Sequence, residues 1–307
     1  MLLDRALVRL LPAVPKPVVR RISERYIAGE DLADAVRVVR VLNDEGKLAT
    51  IDVLGEEIAN AEEARGIADA YRAALDAFQR EQLDSNVSVK PTALGLKLGY
   101  DVCHANFEEV VAHAAGLGNF VRIDMEDSST TDDTFRLYRE LRAEGHDNVG
   151  IVLQARLKRT VDDVHALVEL KPNVRLCKGI YLERPEIAYR DYEAVRSNFV
   201  QALEALWDAG CYVGVATHDD QLLDHAESEA ERRGLGRENF EFQMLLGVRP
   251  ALGHALVLKG HRLRIYTPFG RHWYEYSLRR LQENPRIAGY IASDTFGRLL
   301  PGRNGAA

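Results

Sequence analysis

The sequence predicts an α/β protein, a (β/α)8 barrel with a helical N-terminal extension. Three observations carry this expectation. Eight short β-rich runs recur between residues 48 and 268. Each is followed by a stretch with amphipathic, helical periodicity. The fingerprints of the rival fold, a doubly wound open sheet, are missing: no GxGxxG follows the first run, and no Walker loop occurs. Eight βα units in about 250 residues is the count of one barrel.

The elements follow in order. The first 45 residues read as helices, and "DLADAVRVVRVLNDEG" keeps apolar residues at helical spacing until Gly46, a natural C′ residue. The β-rich runs are "LATIDVLG" (48–55), "NVSVK" (86–90), "NFVRIDME" (119–126) and "VGIVLQA" (149–155). They continue with "NVRLCKG" (173–179), "YVGVATH" (212–218), "NFEFQML" (239–245) and "HRLRIYTP" (261–268). Between them lie helical stretches such as "EIANAEEARGIADAYRAALDAF", "TFRLYRELRAEG" and "NFVQALEALWDAG". After the last run, "WYEYSLRRLQENP" (273–285) reads as a short helix stopped by Pro285. Tyr276, Arg279, Arg280 and Glu283 fall at i, i+3, i+4 and i+7, hence on one face. The organisation expected is residues 1–46 as helices packing on the barrel and residues 47–307 as the barrel itself, with no linker between.

Composition narrows the function classes. At 46% hydrophobic and 28% charged residues, the 307-residue chain has the balance of a soluble globular protein. A net charge of −7 argues against general nucleic-acid binding, which rests on neutralising phosphates. The three cysteines, Cys103, Cys177 and Cys211, include no CxxC pair. Cys177 and Cys211 are assigned to strands as small buried thiols, which suits a reducing, cytoplasmic compartment. No apolar run approaches the roughly 20 residues of a membrane span. The opening "MLLDRALVRLLPAVPKPVVRRISERY" mixes arginines with leucines. It reads as packing helices, with peripheral contact to anionic lipid on the inner face of a membrane as the alternative.

In a barrel, chemistry collects at the C-terminal ends of the strands. Here the runs lead to Asp52 and Glu56, Lys90, Asp124 and Glu126, Gln154 and Arg156, then Arg175, Lys178 and Gly179. The last three lead to Thr217 and His218, Gln243, and Tyr266. Singly, each is an ordinary solvated strand tip. Together they predict one enclosed mouth with an excess of cations, suited to an anionic ligand. Three uses fit: a large anionic cofactor walled by Tyr181, Tyr266 and Tyr276; aldolase chemistry on Lys90 or Lys178, or on a metal at Asp124, Glu126 and His218; or passive binding of an anionic metabolite. The His and carboxylate spacing matches no recognised metal signature.

The stretches "IDVLGE", "SVKPTALG", "RIDMED", "LQARL", "RLCKGIYLE", "VATHD", "FQMLLG", "RIYTPFG" and "YSLRRLQE" occur in this order at the strand positions. In them the sequence resembles the monofunctional bacterial proline dehydrogenases, from about residue 48 to 285. The resemblance implies a distorted barrel holding non-covalent FAD and no metal. It implies oxidation of L-proline to 1-pyrroline-5-carboxylate, with electrons passed to a quinone and a separate dehydrogenase acting on the product. Carried over by position, the flavin site is Asp124, Val152, Gln154, Arg175, Lys178, Gly179, Thr217, His218, Gln243 and Glu283, with Arg175 close to flavin N5. The implied substrate site is Lys90, Asp124, Tyr181, Leu245, Tyr266, Tyr276, Arg279 and Arg280. Of these, Arg175, Lys90, Tyr276, Arg279 and Arg280 are the implied catalytic set, and Glu56 would pair with Arg279 as a gate.

The chemistry accounts for these residue types. Proline is a small zwitterion, and paired guanidinium groups grip its carboxylate in a fork. Tyrosine and leucine would pack its ring. Two positions depart from the family pattern: Leu182 stands where larger members often have Trp, and Asp219 stands where Asn often follows the "TH" pair. Asp219 is expected to put a negative charge near the cofactor. The stretch "AYRDYEAVRSNF" lacks the Thr/Lys pattern expected around the adenine, so no adenine contacts are carried over.

Overall fold

The computed structural model describes residues 19–20, 23–55, 58–274 and 276–277. Numbering the described helices and strands in chain order, α1 (Leu32–Asp44) leads into β1 (Leu48–Val53). There follow α2 (Ala61–Arg80), β2 (Ser85–Val89), α3 (Tyr100–Gly116), β3 (Val121–Ile123), α4 (Thr131–Ala143), β4 (Val149–Gln154) and α5 (Thr160–Leu167). The second half runs β5 (Asn173–Cys177), α6 (Tyr192–Asp208), β6 (Tyr212–Ala216), α7 (Asp220–Arg233), β7 (Phe240–Leu245), α8 (Pro250–Leu258) and β8 (Leu263–Phe269). All neighbouring strands pair in parallel, and β1 pairs with β8, so the sheet closes in sequence order.

Local sequence explains the helix boundaries. In α1, Asp31 caps the N-terminus in a box with Asp34, and Ala35, Val39 and Leu42 form the buried stripe at i, i+4 and i+7. Gly46 follows with φ +74°, a left-handed conformation that glycine adopts without Cβ strain. Asn60 caps α2 by accepting the Glu63 N–H at 3.0 Å. Asp219 does the same for α7, accepting the Gln221 N–H.

The strands alternate, and the alternation sorts the barrel into an apolar outside and a polar inside. Ile51, Val87, Val89, Ile123, Leu153, Leu176, Val213, Val215, Phe242 and Ile265 face the helices and join one continuous core with helical residues such as Tyr71, Phe78, Phe107 and Phe199. Burying a side chain of this size stabilises by about 1.5–3 kcal/mol, so this layer carries the fold. Many of the intervening positions are polar yet buried: Thr50, Asp52, Ser88, Arg122, Arg175, Glu241, Gln243 and Arg264. Barrels are usually filled by branched aliphatic residues. Here the lumen is filled by charges and amides, which must satisfy one another.

Two expectations about strands need correction. The third strand ends at Ile123, not at residue 126. The reason is that the Met125 and Glu126 carbonyls, which a longer strand would offer to a neighbour, are taken by the Gln154 side-chain amide at 3.0 and 2.8 Å. Cys211 is buried but immediately precedes β6 rather than lying in it, and Cys177 is the half-buried last residue of β5. All three cysteines are free thiols.

Candidate active site

Asp124, at the end of β3, is the centre of the lumen network. Its Oδ1 accepts the Ser88 hydroxyl at 2.6 Å and Arg175 Nη1 at 2.8 Å, and its Oδ2 accepts the Tyr266 hydroxyl at 3.0 Å. Burial by itself would raise this carboxyl. The Arg175 and Lys90 charges and the two hydroxyl donors outweigh it and hold the group below the usual range. Asp124 is therefore a fixed anion at neutral pH. Tyr266, half-buried beside two carboxylates, is pushed well above the usual phenol range and stays a neutral donor.

Arg175, from β5, has its fork engaged on both sides. Nη1 also reaches Ser88 Oγ at 2.9 Å, Nε donates to Gln243 Oε1 at 2.6 Å, and its guanidinium carbon lies 5.2 Å from the Tyr266 ring centroid. Lys90 donates to Asp52 at 2.6 Å and to the Tyr266 hydroxyl at 3.2 Å, and stands 4.0 Å from Asp124. Helix α2 braces this corner from outside. The fully buried Tyr71 hydroxyl lies 2.9 Å from Ser88 O and 3.4 Å from Asp52, and accepts the Val53 N–H at 3.1 Å.

The neighbouring rim is held by loop contacts. Gly179 has φ +87°, and a Cβ there would stand 2.6 Å from Gln154 Oε1. Lys178 donates to Asp219 at 2.9 Å and to the Tyr192 hydroxyl at 2.7 Å. Arg196 adds two bonds to the same carboxylate, at 2.9 and 3.1 Å. Burial opposes ionisation of Asp219, but these two cations bring its pKa down to about 2. The negative charge expected from Asp219 is thus already neutralised by Lys178 and Arg196.

His218 accepts the Leu245 N–H at Nε2, 3.1 Å away, which leaves its proton on Nδ1. Burial, with Arg249 and Lys178 nearby, lowers its pKa from 6.5 to about 4. Below pH 6.5 the unfolded chain binds a proton that the folded chain refuses until about pH 4. The fold should therefore lose up to about 3 kcal/mol across that window and nothing from this group above it. Urea midpoints at pH 7 and pH 4.5 should differ less in His218→Gln than in the parent. Equal losses in both proteins would refute the assignment.

The structure brings together Lys90, Asp124, Arg175, Gln243 and Tyr266 through the contacts above. Gln154, Lys178, Gly179, Thr217 and His218 stand at the adjoining strand ends, and Val152 is the buried β4 neighbour of Arg175. Leu245 ends β7, and Tyr181 follows β5 with its carbonyl accepting from Arg156. Tyr276 is buried against Tyr26, Ile27 and Leu54, at the start of the helix read over 273–285. Glu56, Arg279, Arg280 and Glu283 lie outside the described residues.

Two expectations about the mouth are corrected. Asp124 and Glu126 do not converge on one mouth: Glu126 is buried and bonds the Thr92 N–H and hydroxyl, tying two loops together. Nor do Lys90, Arg175 and Lys178 stand as surplus cations at the strand ends. Lys90 is matched by Asp52, Arg175 by Asp124, and Lys178 by Asp219, because a buried cation is costly without a counter-charge. The same pairing weakens the aldolase alternative, since both lysines are spent as donors to carboxylates. Among the described residues no group of three or more His, Cys, Asp or Glu is placed to hold a metal ion. No described helix is long and apolar enough to cross a membrane.

Sequence reasoning assigned no role to Ser88, Tyr71, Glu241 or Arg264, and noted Asp52 only as a strand end. The period-two alternation held a signal for three of them. Ser88 stands two residues before Lys90, Glu241 two before Gln243 and Arg264 two before Tyr266, so each shares the inward face.

Comparison with known proteins gives a consistent result. A family model described as proline dehydrogenase matches residues 35–292. Proline dehydrogenase 1 of Bacillus subtilis (strain 168) is 35% identical over 269 residues, covering 88% of this chain and 89% of the relative. The proline dehydrogenase of Deinococcus radiodurans is 36% identical over 274 residues, 88% of each chain. Among solved structures, proline utilization A from Bdellovibrio bacteriovorus, inactivated by N-propargylglycine, matches with a TM-score of 0.80 at 24% identity. That match covers 89% of this chain and 34% of the other, so this chain spans about a third of that longer protein and shares its fold.

Proposed function

The chain belongs to the proline dehydrogenase family, and on that footing we propose that it oxidises L-proline to 1-pyrroline-5-carboxylate using FAD and passes the electrons to a quinone. The observation that carries this reading is the hydrogen-bonded chain Arg175–Asp124–Tyr266–Lys90 at the strand ends. It is a fixed, largely buried array of donors around one anion, the kind of site that aligns a small zwitterion.

The rim fits a flavin on two counts. Gly179 leaves bare backbone beside the Gln154 amide, a cradle that a Cβ would fill. Lys178 and Arg196 bring two cations to one carboxylate, a donor set that suits a diphosphate. When bound, the flavin supplies the hydride acceptor. Asp124, Val152, Gln154, Arg175, Lys178, Gly179, Thr217, His218 and Gln243, with Glu283, are assigned to hold it.

The substrate carboxylate is assigned to Lys90, Arg279 and Arg280, and its ring to Tyr181, Leu245, Tyr266 and Tyr276. Lys90, Arg175 and Lys178 already face carboxylates, so a substrate carboxylate calls for further cations, and the "RR" pair is assigned to supply them. Arg279→Met or Arg280→Met should raise the proline KM about tenfold or more. Unchanged KM in both variants would remove the pair from the site. Glu56 is assigned as the gate partner of Arg279. The product would pass to a separate 1-pyrroline-5-carboxylate dehydrogenase. Residues 1–46 are assigned to helices packing on the barrel, with peripheral contact to the inner face of a membrane as the alternative, and residues 47–307 to the catalytic barrel.

The test is a visible spectrum. The purified protein should show flavin absorption that bleaches on anaerobic addition of proline. A protein that is colourless, and stays so when FAD is added, overturns the reading.

A further inference from the structure

Arg175 does not end the network. Its Nε bond goes to the carbonyl oxygen of Gln243, and the Gln243 Nε2 donates to Glu241 Oε1 at 2.7 Å. Glu241 is also bound by Arg264, at 2.7 Å to Oε1 and 3.1 Å to Oε2. All four side chains are buried. An ionised carboxylate only accepts hydrogen bonds, so Glu241 admits one orientation of the Gln243 amide: NH2 toward Glu241, carbonyl toward Arg175. A flipped amide would set N–H donors against a guanidinium that has only donors of its own.

We propose that Glu241 is a positioning residue: by fixing the Gln243 amide it fixes the Arg175 guanidinium in the plane from which it serves the reaction. This rests on the assignment of Arg175 to the flavin site. The alternative is that Glu241 merely neutralises Arg264, and the two roles separate cleanly.

Glu241→Gln alone removes a negative charge and strands Arg264, so the informative protein is the double variant Glu241→Gln with Arg264→Gln. It keeps the net charge of the lumen and replaces the ion pair by two amides. Flavin binding is measured first, then the flavin midpoint potential and proline kinetics. The double variant should bind FAD, show a more negative midpoint potential, and lose about tenfold to a hundredfold in kcat with KM within about threefold of the parent. A parental potential and kcat would reduce Glu241 to the counter-ion of Arg264 and overturn the proposal.

Gly214→Ala approaches the same amide from the other side without touching a charge. A Cβ there would stand 2.5 Å from Gln243 Nε2, the movable end of that side chain, so the amide yields and the fold survives. This variant should shift potential and kcat in the same direction. It decides the matter if the double variant does not fold: parental values in Gly214→Ala overturn the proposal. Failure of the parent itself to bind FAD would instead overturn the flavin assignment.

Discussion

Arg175→Met should lower kcat for proline by about a hundredfold or more, the scale seen when one preorganised charged donor is removed from a reacting centre. Methionine keeps the length of the side chain and removes every donor. The variant loses the bonds to Asp124, Ser88 and Gln243 together. It also leaves Asp124 buried without its closest cation, since Lys90 stands 4.0 Å away. Breaking one side of a buried ion pair costs about 3–5 kcal/mol of stability. The pH dependence carries a definite sign. Asp124 is held below its ordinary value of 3.8, so its ion pairing stabilises the fold above that pH and is lost as the pH falls through the folded-state value. The deficit of the variant should therefore be largest at neutral pH and fade in acid. Stopped-flow flavin reduction and denaturation at two pH values measure both effects. Arg175→Lys returns the charge but not the planar fork, so it should recover more stability than rate. A kcat within about threefold of the parent in Arg175→Met would remove Arg175 from the reaction.

Much of this was legible in the sequence, for reasons that particular residues make clear. Strand number and order followed from β-rich runs separated by helical periodicity, and Gly46 marked the end of a helix by its conformational freedom. The rim residues followed from one rule, that barrel chemistry gathers at strand ends. What the sequence concealed was pairing across the lumen. Arg175 meets Ser88 from 87 residues away, and Tyr266 meets Asp124 from 142. No local pattern encodes which inward residue on one strand faces which on another. Charge matching hid for the same reason: Lys90, Arg175 and Lys178 look like a surplus until each is seen against its own carboxylate. The same holds for Asp219, whose sign suggested repulsion of an anionic cofactor and whose surroundings cancel it. Strand length was misread at β3 because a side-chain amide, Gln154, takes carbonyls that backbone would otherwise hold.

The polar lumen also explains why this barrel is read so easily as alternating. An all-parallel sheet covered on both faces normally shows continuous apolar runs. Stretches such as "NVSVK" and "FEFQM" alternate because their inner face holds the charged network while the outer face packs on helices. The network therefore reaches into the barrel itself: Arg264 and Glu241 stand two residues below Tyr266 and Gln243, Arg264 bonds Glu241, and Glu241 accepts a hydrogen bond from Gln243 at the rim.

Lys90→Met separates structural from substrate roles at the opposite corner. Asp52 is wholly buried and its Oδ2 lies 2.6 Å from the Lys90 amine, so removing the amine takes a charge-assisted donor from a carboxylate in the interior. The single variant should lose about 3–5 kcal/mol of stability. Adding Asp52→Asn removes the buried charge and leaves a neutral, similarly sized pair, which should return stability to within about 1 kcal/mol of the parent. Proline binding should not return with it. A carboxylate that has lost one of its charge-assisted donors binds about tenfold or more weakly whether or not the fold is repaired, so KM should stay raised in the double variant. Thermal or urea denaturation beside steady-state kinetics on the parent, the single and the double variant gives both quantities. If KM recovers along with stability, Lys90 serves only to neutralise Asp52 and leaves the substrate site; if the single variant is as stable as the parent, the ion pair does not hold this corner of the barrel.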